Sequence, residues 1–322
     1  MFIKNVTALF ALVFVIITAG CSQQETASSV DDKVKIGIML SDVGLGDQSF
    51  SDSAFNGLTK ARDELGILFD YRELKESETY EKGLTELVEE DHDIIVGLGF
   101  MVQTDLEKVA KKYPDQHFIL IDAVSELENV TSITFKEDEG SFLTGVVAAL
   151  ATKSNKLGFI GGDDVPLINK FEDGFIEGAK SVNPSITVEV KYAGDFGNDQ
   201  LGAQIARDMI QKDVDVLYAA AGFTGVGMLK EAQANKVLAI GVDTDQYFYA
   251  EKAVVTSMLK KVDTAMYQLA EQLIKDGKIS EGHIELGIKD NGIDLAPLRV
   301  VPFSEEQQQT IDEWKEKLIS GS

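Results

Sequence analysis

The chain has 322 residues and a net charge of −24, because 54 Asp and Glu residues outnumber 30 Lys and Arg residues. Such an acidic surface repels phosphate groups, which argues against nucleic acid or an anionic lipid surface as a partner. The single cysteine excludes a disulfide within the chain, so stability must come from the burial of an apolar core. A neutral small-molecule ligand stays compatible with this charge.

The first twenty residues have the layout of a secretory signal peptide. Lys4 precedes an apolar run over 6–17, which is too short to cross a bilayer comfortably, and small residues lead into Cys21. A lone cysteine after Ala-Gly resembles a bacterial lipobox. We therefore predict that residues 1–20 are removed, that Cys21 carries a lipid anchor and that 21–33 form a flexible tether. The mature protein is then held on the extracytoplasmic face of the cell membrane.

From residue 34 onward, short β-branched runs alternate with longer amphipathic stretches. The predicted strands are 34–40, 67–73, 93–98, 117–121, 130–134, 156–160, 186–192, 214–219, 237–242 and 253–258. The predicted helices are 52–65, 79–90, 103–112, 138–152, 169–181, 199–211, 224–234, 261–276 and 304–319. This alternation predicts an α/β protein whose sheets are mostly parallel and are flanked by helices.

The length of the chain and an internal repetition predict two lobes. A strand, a loop and a helix with an internal glycine begin at Val34 and again at Lys156. We predict an N-terminal lobe over 34–140, to which 259–280 return, and a C-terminal lobe over 141–258, to which 281–322 largely return. Because ligands of open α/β sheets bind beyond the carboxyl ends of the strands, both lobes should direct those ends at one cleft.

The stretch 41–50, S-D-V-G-L-G-D-Q-S-F, directly follows the first predicted strand. It lacks the third glycine of a dinucleotide-binding fingerprint, and its two aspartates would repel a phosphate. Acids, glycines and aromatics also follow other strands, among them Gly99, Phe100, Asp122, Gly222, Phe223, Asp243, Asp245 and Gln246. Carboxylates accept hydrogen bonds from a diol and aromatic rings stack on a heterocycle, so the set describes a site for a nucleoside or another sugar-bearing heterocycle. Each aspartate has an alternative role as a helix N-cap, and each phenylalanine as a core residue.

Catalytic patterns have little support in this sequence. The histidines His92, His117 and His283 are scattered without metal-ligand spacing, and GxSxG, HExxH and GxxxxGK[ST] are absent. We interpret His92 as a solvated surface residue. The paired acids Asp243 and Asp245 leave a nucleoside hydrolase as the enzymatic alternative. We predict a binding protein with no catalytic residue, cofactor or metal.

Three motifs together resemble the basic membrane protein (BMP) family of substrate-binding lipoproteins, which are similar to the purine nucleoside receptor of spirochaetes. They are 42–50, 158–162 followed by 170–175, and 241–246. The resemblance implies a two-lobed type I periplasmic-binding-protein fold that captures a nucleoside, with a purine favoured, by hinge closure. It also implies delivery to the permease and ATPase subunits of an ABC importer. We expect a monomer, the default for such receptors.

The same resemblance implies roles for single residues. Asp42 reads the base and Phe50 stacks on it, while Asp122 and Asp243 lie near the ribose. Lys261 is the expected cleft lysine, with Lys260 as the weaker candidate. The predicted ligand-binding set is Asp42, Ser49, Phe50, Phe100, Asp122, Phe171, Gly222, Asp243 and Lys261. Two alternatives share these residues: a ligand-sensing surface lipoprotein with a regulatory role, and a receptor for another heterocycle-sugar ligand such as riboflavin.

Overall fold

The computed structural model describes residues 33–321, so the predicted signal peptide, Cys21 and nearly all of the tether lie outside the described residues. The strands of the described part belong to two six-stranded sheets. The first contains β1 (Lys35–Met39), β2 (Leu68–Arg72), β3 (Ile94–Leu98), β4 (His117–Ile121), β5 (Val130–Phe135) and β11 (His283–Leu286). The second contains β6 (Lys156–Gly161), β7 (Thr187–Tyr192), β8 (Val216–Ala220), β9 (Leu238–Asp243), β10 (Val254–Lys260) and β12 (Ile293–Leu295).

The α-helices of the described part flank these sheets. They are α1 (Phe50–Leu65), α2 (Leu74–Ser77), α3 (Tyr80–Glu89), α4 (Gln103–Lys112), α5 (Glu137–Ala151), α6 (Pro166–Val182), α7 (Asp199–Ile210), α8 (Gly222–Asn235), α9 (Val262–Asp276) and α10 (Glu305–Ser320). Every strand and helix that the hydrophobic pattern predicts is present. The short elements α2, β11 and β12 were not predicted, because four residues or fewer carry too little periodicity.

The two sheets have the same strand order. The first runs β11-β5-β4-β3-β1-β2 and the second β12-β10-β9-β8-β6-β7. All pairings are parallel except that of β12 with β10. The central strand β3 is buried at all five positions, as expected where helices cover both faces of a parallel sheet. The confirmed parallel arrangement brings the carboxyl ends of the strands to one edge in each sheet.

The chain passes between the sheets along α5, along α9 and between β11 and β12. Because β11 pairs with β5, the final return to the second sheet starts after residue 286, later than the predicted residue 281. The last helix, α10, then packs against α5, where the Phe142 and Trp314 rings lie 4.9 Å apart. The lobe boundaries at 140 and 258 stay a prediction.

Two helix crossings depend on glycine. A Cβ at Gly57 of α1 would lie 2.2 Å from the backbone oxygen of Asp263 at the start of α9. A Cβ at Gly174 of α6 would lie 2.4 Å from the backbone oxygen of Asp138 at the start of α5. Only glycine permits such close backbone approach, so each lobe packs its first helix in the same way against a helix that connects the two sheets.

Candidate ligand-binding site

A cavity lies where the carboxyl ends of the strands of both sheets converge. The space that no protein atom fills is about 670 Å³, counting the part that opens to solvent. Its lining consists of Ser41, Asp42, Val43, Asp47, Phe50, Leu98, Gly99, Phe100, Met101, Asp122, Leu167, Ile168, Phe171, Phe196, Ala220, Ala221, Gly222, Val242, Asp243 and Lys260. Seven of the nine predicted ligand-binding residues therefore border one space.

The loop between β1 and α1 is organised by the buried carboxylate of Asp47. Its two oxygens accept hydrogen bonds from the backbone N–H groups of Ser49 (2.9 Å), Ser51 (2.6 Å) and Asp52 (3.1 Å). Burial raises the pKa of Asp47 to about 6 even though these N–H groups oppose the shift. The carboxylate thereby fixes the loop that presents Phe50 to the cavity.

Aromatic side chains from both halves of the chain form the apolar part of the wall. Phe50 and Phe100 follow strands of the first sheet, whereas Phe171 lies on α6 and Phe196 follows β7. The Phe100 and Phe196 rings meet edge to face with centroids 6.5 Å apart. Phe196 was not predicted, because it lies in a loop without a recognisable motif. Such rings provide flat surfaces for a heterocycle.

Two aspartates at the strand ends have an unusual backbone conformation. Asp122 follows β4 with φ +68°, and Asp243 ends β9 with φ +63°. A left-handed backbone is uncommon in residues other than glycine and is often found at functional sites. The predicted Ser49 lies just behind the cavity wall, where its hydroxyl donates a hydrogen bond to the Asp243 carboxylate. Gly222, at the start of α8, lines the cavity, whereas the neighbouring Phe223 does not.

Lys260, at the end of β10, occupies the charged side of the cavity. It is 2% exposed, and its Nζ lies 2.6 Å from Asp122 Oδ2 and 3.0 Å from Glu137 Oε1. The Phe50 and Phe135 ring centroids each lie 5.1 Å from the same nitrogen. This corrects the prediction of Lys261, whose Nζ instead contacts Asn291 and Asp294 on the returning segment. Glu137 was also missed, because it resembles an ordinary acid in the first turn of a helix.

The charges around Lys260 are linked. Burial lowers the pKa of Lys260, but Asp122, Glu137 and Asp243 outweigh this effect, and the net shift is upward. Burial raises the pKa of Asp122 to about 6, with Lys260 opposing the shift and Glu137 adding to it. Burial also raises the pKa of Asp243. The lysine therefore stays charged and is the buried cation among these carboxylates, while the partly exposed Lys170 lies 3.5 Å from Glu137 Oε2.

Asp42, in the loop that follows β1, also lines the cavity. Burial raises the pKa of its carboxyl, the backbone N–H of Val43 opposes the shift, and the charge of Asp195 adds to it. Asp122 Oδ1 is buried and has no hydrogen-bond partner among the described residues. A buried acceptor of this kind in a cavity wall is suited to a donor supplied by a ligand.

The histidines do not contribute to this cavity. Contrary to our surface interpretation, His92 is only 6% exposed, and its Nδ1 lies 2.8 Å from the Leu87 carbonyl oxygen. Its Nε2 lies 3.4 Å from Asp70, and with Glu90 these residues form a group of possible metal ligands. The Asp70 and Glu90 side chains are largely exposed, and Glu90 already pairs with Arg72. This group lies away from the cavity lining.

Comparison with known proteins agrees with this geometry. Residues 33–322 match the family model described as ABC transporter substrate-binding protein PnrA-like. The chain belongs to this Bmp family. It is 35% identical, over 91% of each chain, to a Lactococcus lactis protein named ABC transporter nucleoside-binding protein BmpA. It is 30% identical to basic membrane protein D of Borreliella burgdorferi, over 89% of this chain and 84% of that one.

Solved structures confirm the periplasmic-binding-protein fold. An ABC transporter solute-binding protein from Aeropyrum pernix superposes with a TM-score of 0.83 at 28% identity, over 89% of this chain and 92% of that one. The Bmp protein described here is thus a substrate-binding protein of ABC transport. None of the helices in the described part of this Bmp protein has the length and hydropathy needed to span a membrane.

Proposed function

We propose that this Bmp protein binds a nucleoside in the cavity between its sheets and delivers it to an ABC importer. The observation that carries the proposal is the pairing of an aromatic wall with a charged wall in one cavity. Phe50 and Phe100 offer faces or edges to a flat base, and Asp122, Asp243 and Lys260 offer acceptors and donors to a ribose. The Lactococcus relative, which is named as nucleoside-binding, supports this assignment.

The base and the sugar have distinct places in this proposal. Asp42 lines the same cavity as Phe50 and accepts hydrogen bonds from N–H groups on the edge of a purine, which we favour over a pyrimidine. The unpartnered Asp122 Oδ1 and the Asp243 carboxylate accept hydrogen bonds from ribose hydroxyls, and Lys260 donates to a ribose oxygen. No bond of the ligand is broken, so the protein acts as a receptor and not as an enzyme.

The remaining parts of the proposal concern location and partners. A lipid on Cys21 holds the protein on the outer face of the cell membrane, and 21–33 act as the tether. The protein works as a monomer whose lobes close on the ligand, and the closed form is what the permease recognises. The acidic surface is compatible with a neutral nucleoside as cargo.

Isothermal titration calorimetry tests the proposal. Residues 22–322, unfolded and refolded to remove carried-over ligand, are titrated with guanosine, adenosine, inosine, uridine and riboflavin. We expect tight binding of a purine nucleoside, with a loss of at least about tenfold in Asp42→Ala and in Phe50→Ala. Phe223→Ala, outside the cavity lining, serves as the control. Binding of riboflavin alone, or binding unaffected by the two substitutions, would overturn the ligand assignment.

A further inference from the structure

A contact between the lobes lies beside the cavity and outside its lining. Gln48, in the loop between β1 and α1, belongs to the first half of the chain, and Gln246 follows β9 of the second. The Gln246 side-chain Nε2 donates a hydrogen bond of 3.1 Å to the backbone oxygen of Gln48, 198 residues away. Thr244 Oγ1 approaches the same oxygen at 3.5 Å. We call the contact of Gln48 with Thr244 and Gln246 the interlobe contact.

The Gln246 side chain is held in one orientation. It is 2% exposed, and its Oε1 accepts a hydrogen bond of 3.0 Å from the backbone N–H of Val242. Because a backbone N–H can only donate, the amide oxygen must face Val242, and the NH2 group must face Gln48. A Cβ at Gly241 would lie 2.9 Å from the Gln246 Cβ, so the glycine leaves room for this side chain.

The Gln48 carbonyl is also held in place. Gln48 has a left-handed backbone with φ +56°, and its N–H donates a hydrogen bond of 3.0 Å to Asp52 Oδ2. A strained backbone in a residue other than glycine persists where surrounding contacts fix it. Here the conformation turns the carbonyl oxygen toward the second lobe, so both partners are aligned before they meet.

We propose that Gln246 is a positioning residue that stabilises the closed form through its bond to the Gln48 carbonyl and so sets ligand affinity without touching the ligand. Separating the lobes breaks this bond while the Val242 bond within the second lobe persists. The contact therefore favours closure selectively, and a ligand bound in the closed form gains affinity from it.

Gln246→Glu is the most selective test of the interlobe contact. It keeps an oxygen for the Val242 N–H but places a carboxylate oxygen against the Gln48 carbonyl, which repels it only when the lobes are closed. Gln233→Glu is the control for the hydrogen bond and the added charge, because the partly exposed Gln233 accepts a bond of 2.9 Å at Oε1 from the backbone N–H of Lys252 elsewhere in the second half. Gln246→Met, which is uncharged and similar in length, replaces Gln246→Glu if that variant does not fold.

The measurements are inosine titration calorimetry and small-angle X-ray scattering on residues 22–322, with and without inosine. We expect the Gln246 variant to bind inosine about three- to tenfold more weakly and to have a larger radius of gyration, with Gln233→Glu equal to the wild type. Equal values for all three proteins, or equal effects of both substitutions, would overturn the proposal.

The titration measurement rests on the proposed function, whereas the scattering measurement does not. If no nucleoside binds, only the proposed function fails. The scattering of the unliganded proteins then tests the interlobe contact by itself. Identical radii of gyration for the wild type and the Gln246 variant would contradict it.

Discussion

The two lobes of this Bmp protein share their backbone plan but differ in the side chains that it presents. In each sheet the fourth strand along the chain leads to an aspartate with a left-handed backbone, Asp122 or Asp243. The fifth strands differ, because β5 ends in the buried Phe135 and β10 ends in the buried Lys260. The repeated backbone plan therefore fixes where the chain turns toward the cavity. The side chains at equivalent strand ends determine the chemistry of the cavity.

This difference also links the lobes electrostatically. Lys260, on the second sheet, bonds Asp122, which follows a strand of the first sheet. Glu137 at the start of α5 is the third member of the group. Lys260 is thus the buried cation of this group, and the partly exposed Lys170 adds a contact of 3.5 Å with Glu137. We expect removal of Lys260 to affect stability as well as binding.

Lys260→Met should have the largest effect. It leaves Asp122 buried without its cation and Glu137 with only the 3.5 Å contact to Lys170, and breaking a buried ion pair in this way costs about 3–5 kcal/mol. Urea unfolding followed by circular dichroism measures the free energy of unfolding. Lys261→Met, one residue along the chain and partly exposed, should cost at most about 1 kcal/mol. Equal effects of the two substitutions would show that Lys260 does not hold this group together.

Gly57→Ala and Gly174→Ala test whether the lobes use the same helix crossing. Each added methyl group meets the backbone of the opposing helix, so each variant should lose about 1–3 kcal/mol of the free energy of unfolding. Gly225→Ala on α8 is the control, because its Cβ would meet only the Ala219 side chain at 3.2 Å. We expect a change within about 1 kcal/mol there. An unchanged free energy of unfolding in Gly57→Ala or Gly174→Ala would contradict the repeated crossing.

Phe100 and Phe223 follow equivalent glycines, Gly99 and Gly222, but only Phe100 lines the cavity. Phe100→Ala should weaken nucleoside binding by about tenfold, because it removes an aromatic surface from the wall. Phe223→Ala should leave the dissociation constant within about twofold. Titration calorimetry measures both, and a stronger effect at Phe223 would reverse the assignment.

The pH dependence of stability should distinguish Asp47 from Asp164, an exposed acid in the corresponding loop of the second lobe. Burial raises the pKa of Asp47 from 3.8 to about 6, so the folded state holds this proton to higher pH than the unfolded state does. Its contribution to stability therefore falls as pH rises from about 4 to 6, by on the order of 1–3 kcal/mol. Asp47→Asn should remove that decline, whereas Asp164→Asn, in the corresponding exposed loop, should retain it. Urea unfolding across this pH range measures how the free energy of unfolding changes with pH. The same pH dependence in Asp47→Asn and Asp164→Asn would contradict the raised pKa of Asp47.

The fold was predictable because β-branched runs and amphipathic stretches alternate along the chain. The cavity lining was predictable where motifs stand at strand ends, as with Asp42, Phe50, Asp122 and Asp243. The choice between Lys260 and Lys261 was not, because β10 extends to residue 260 through its pairing with β12, two residues beyond the predicted end. Adjacent residues of a strand point to opposite faces, so this extension decides which lysine enters the cavity. The contacts of Phe196 with Phe100 and of Gln246 with Gln48 join distant parts of the chain, which local patterns do not reveal.

The central claim is that one cavity uses aromatic residues for a base and the Lys260 group for a ribose. A crystal structure of residues 22–322 grown with inosine tests it most directly. We predict the base beside Phe50 and Asp42, with the ribose within hydrogen-bond distance of Asp122, Asp243 and Lys260. Inosine bound elsewhere, or its ribose directed away from Lys260, would contradict the account.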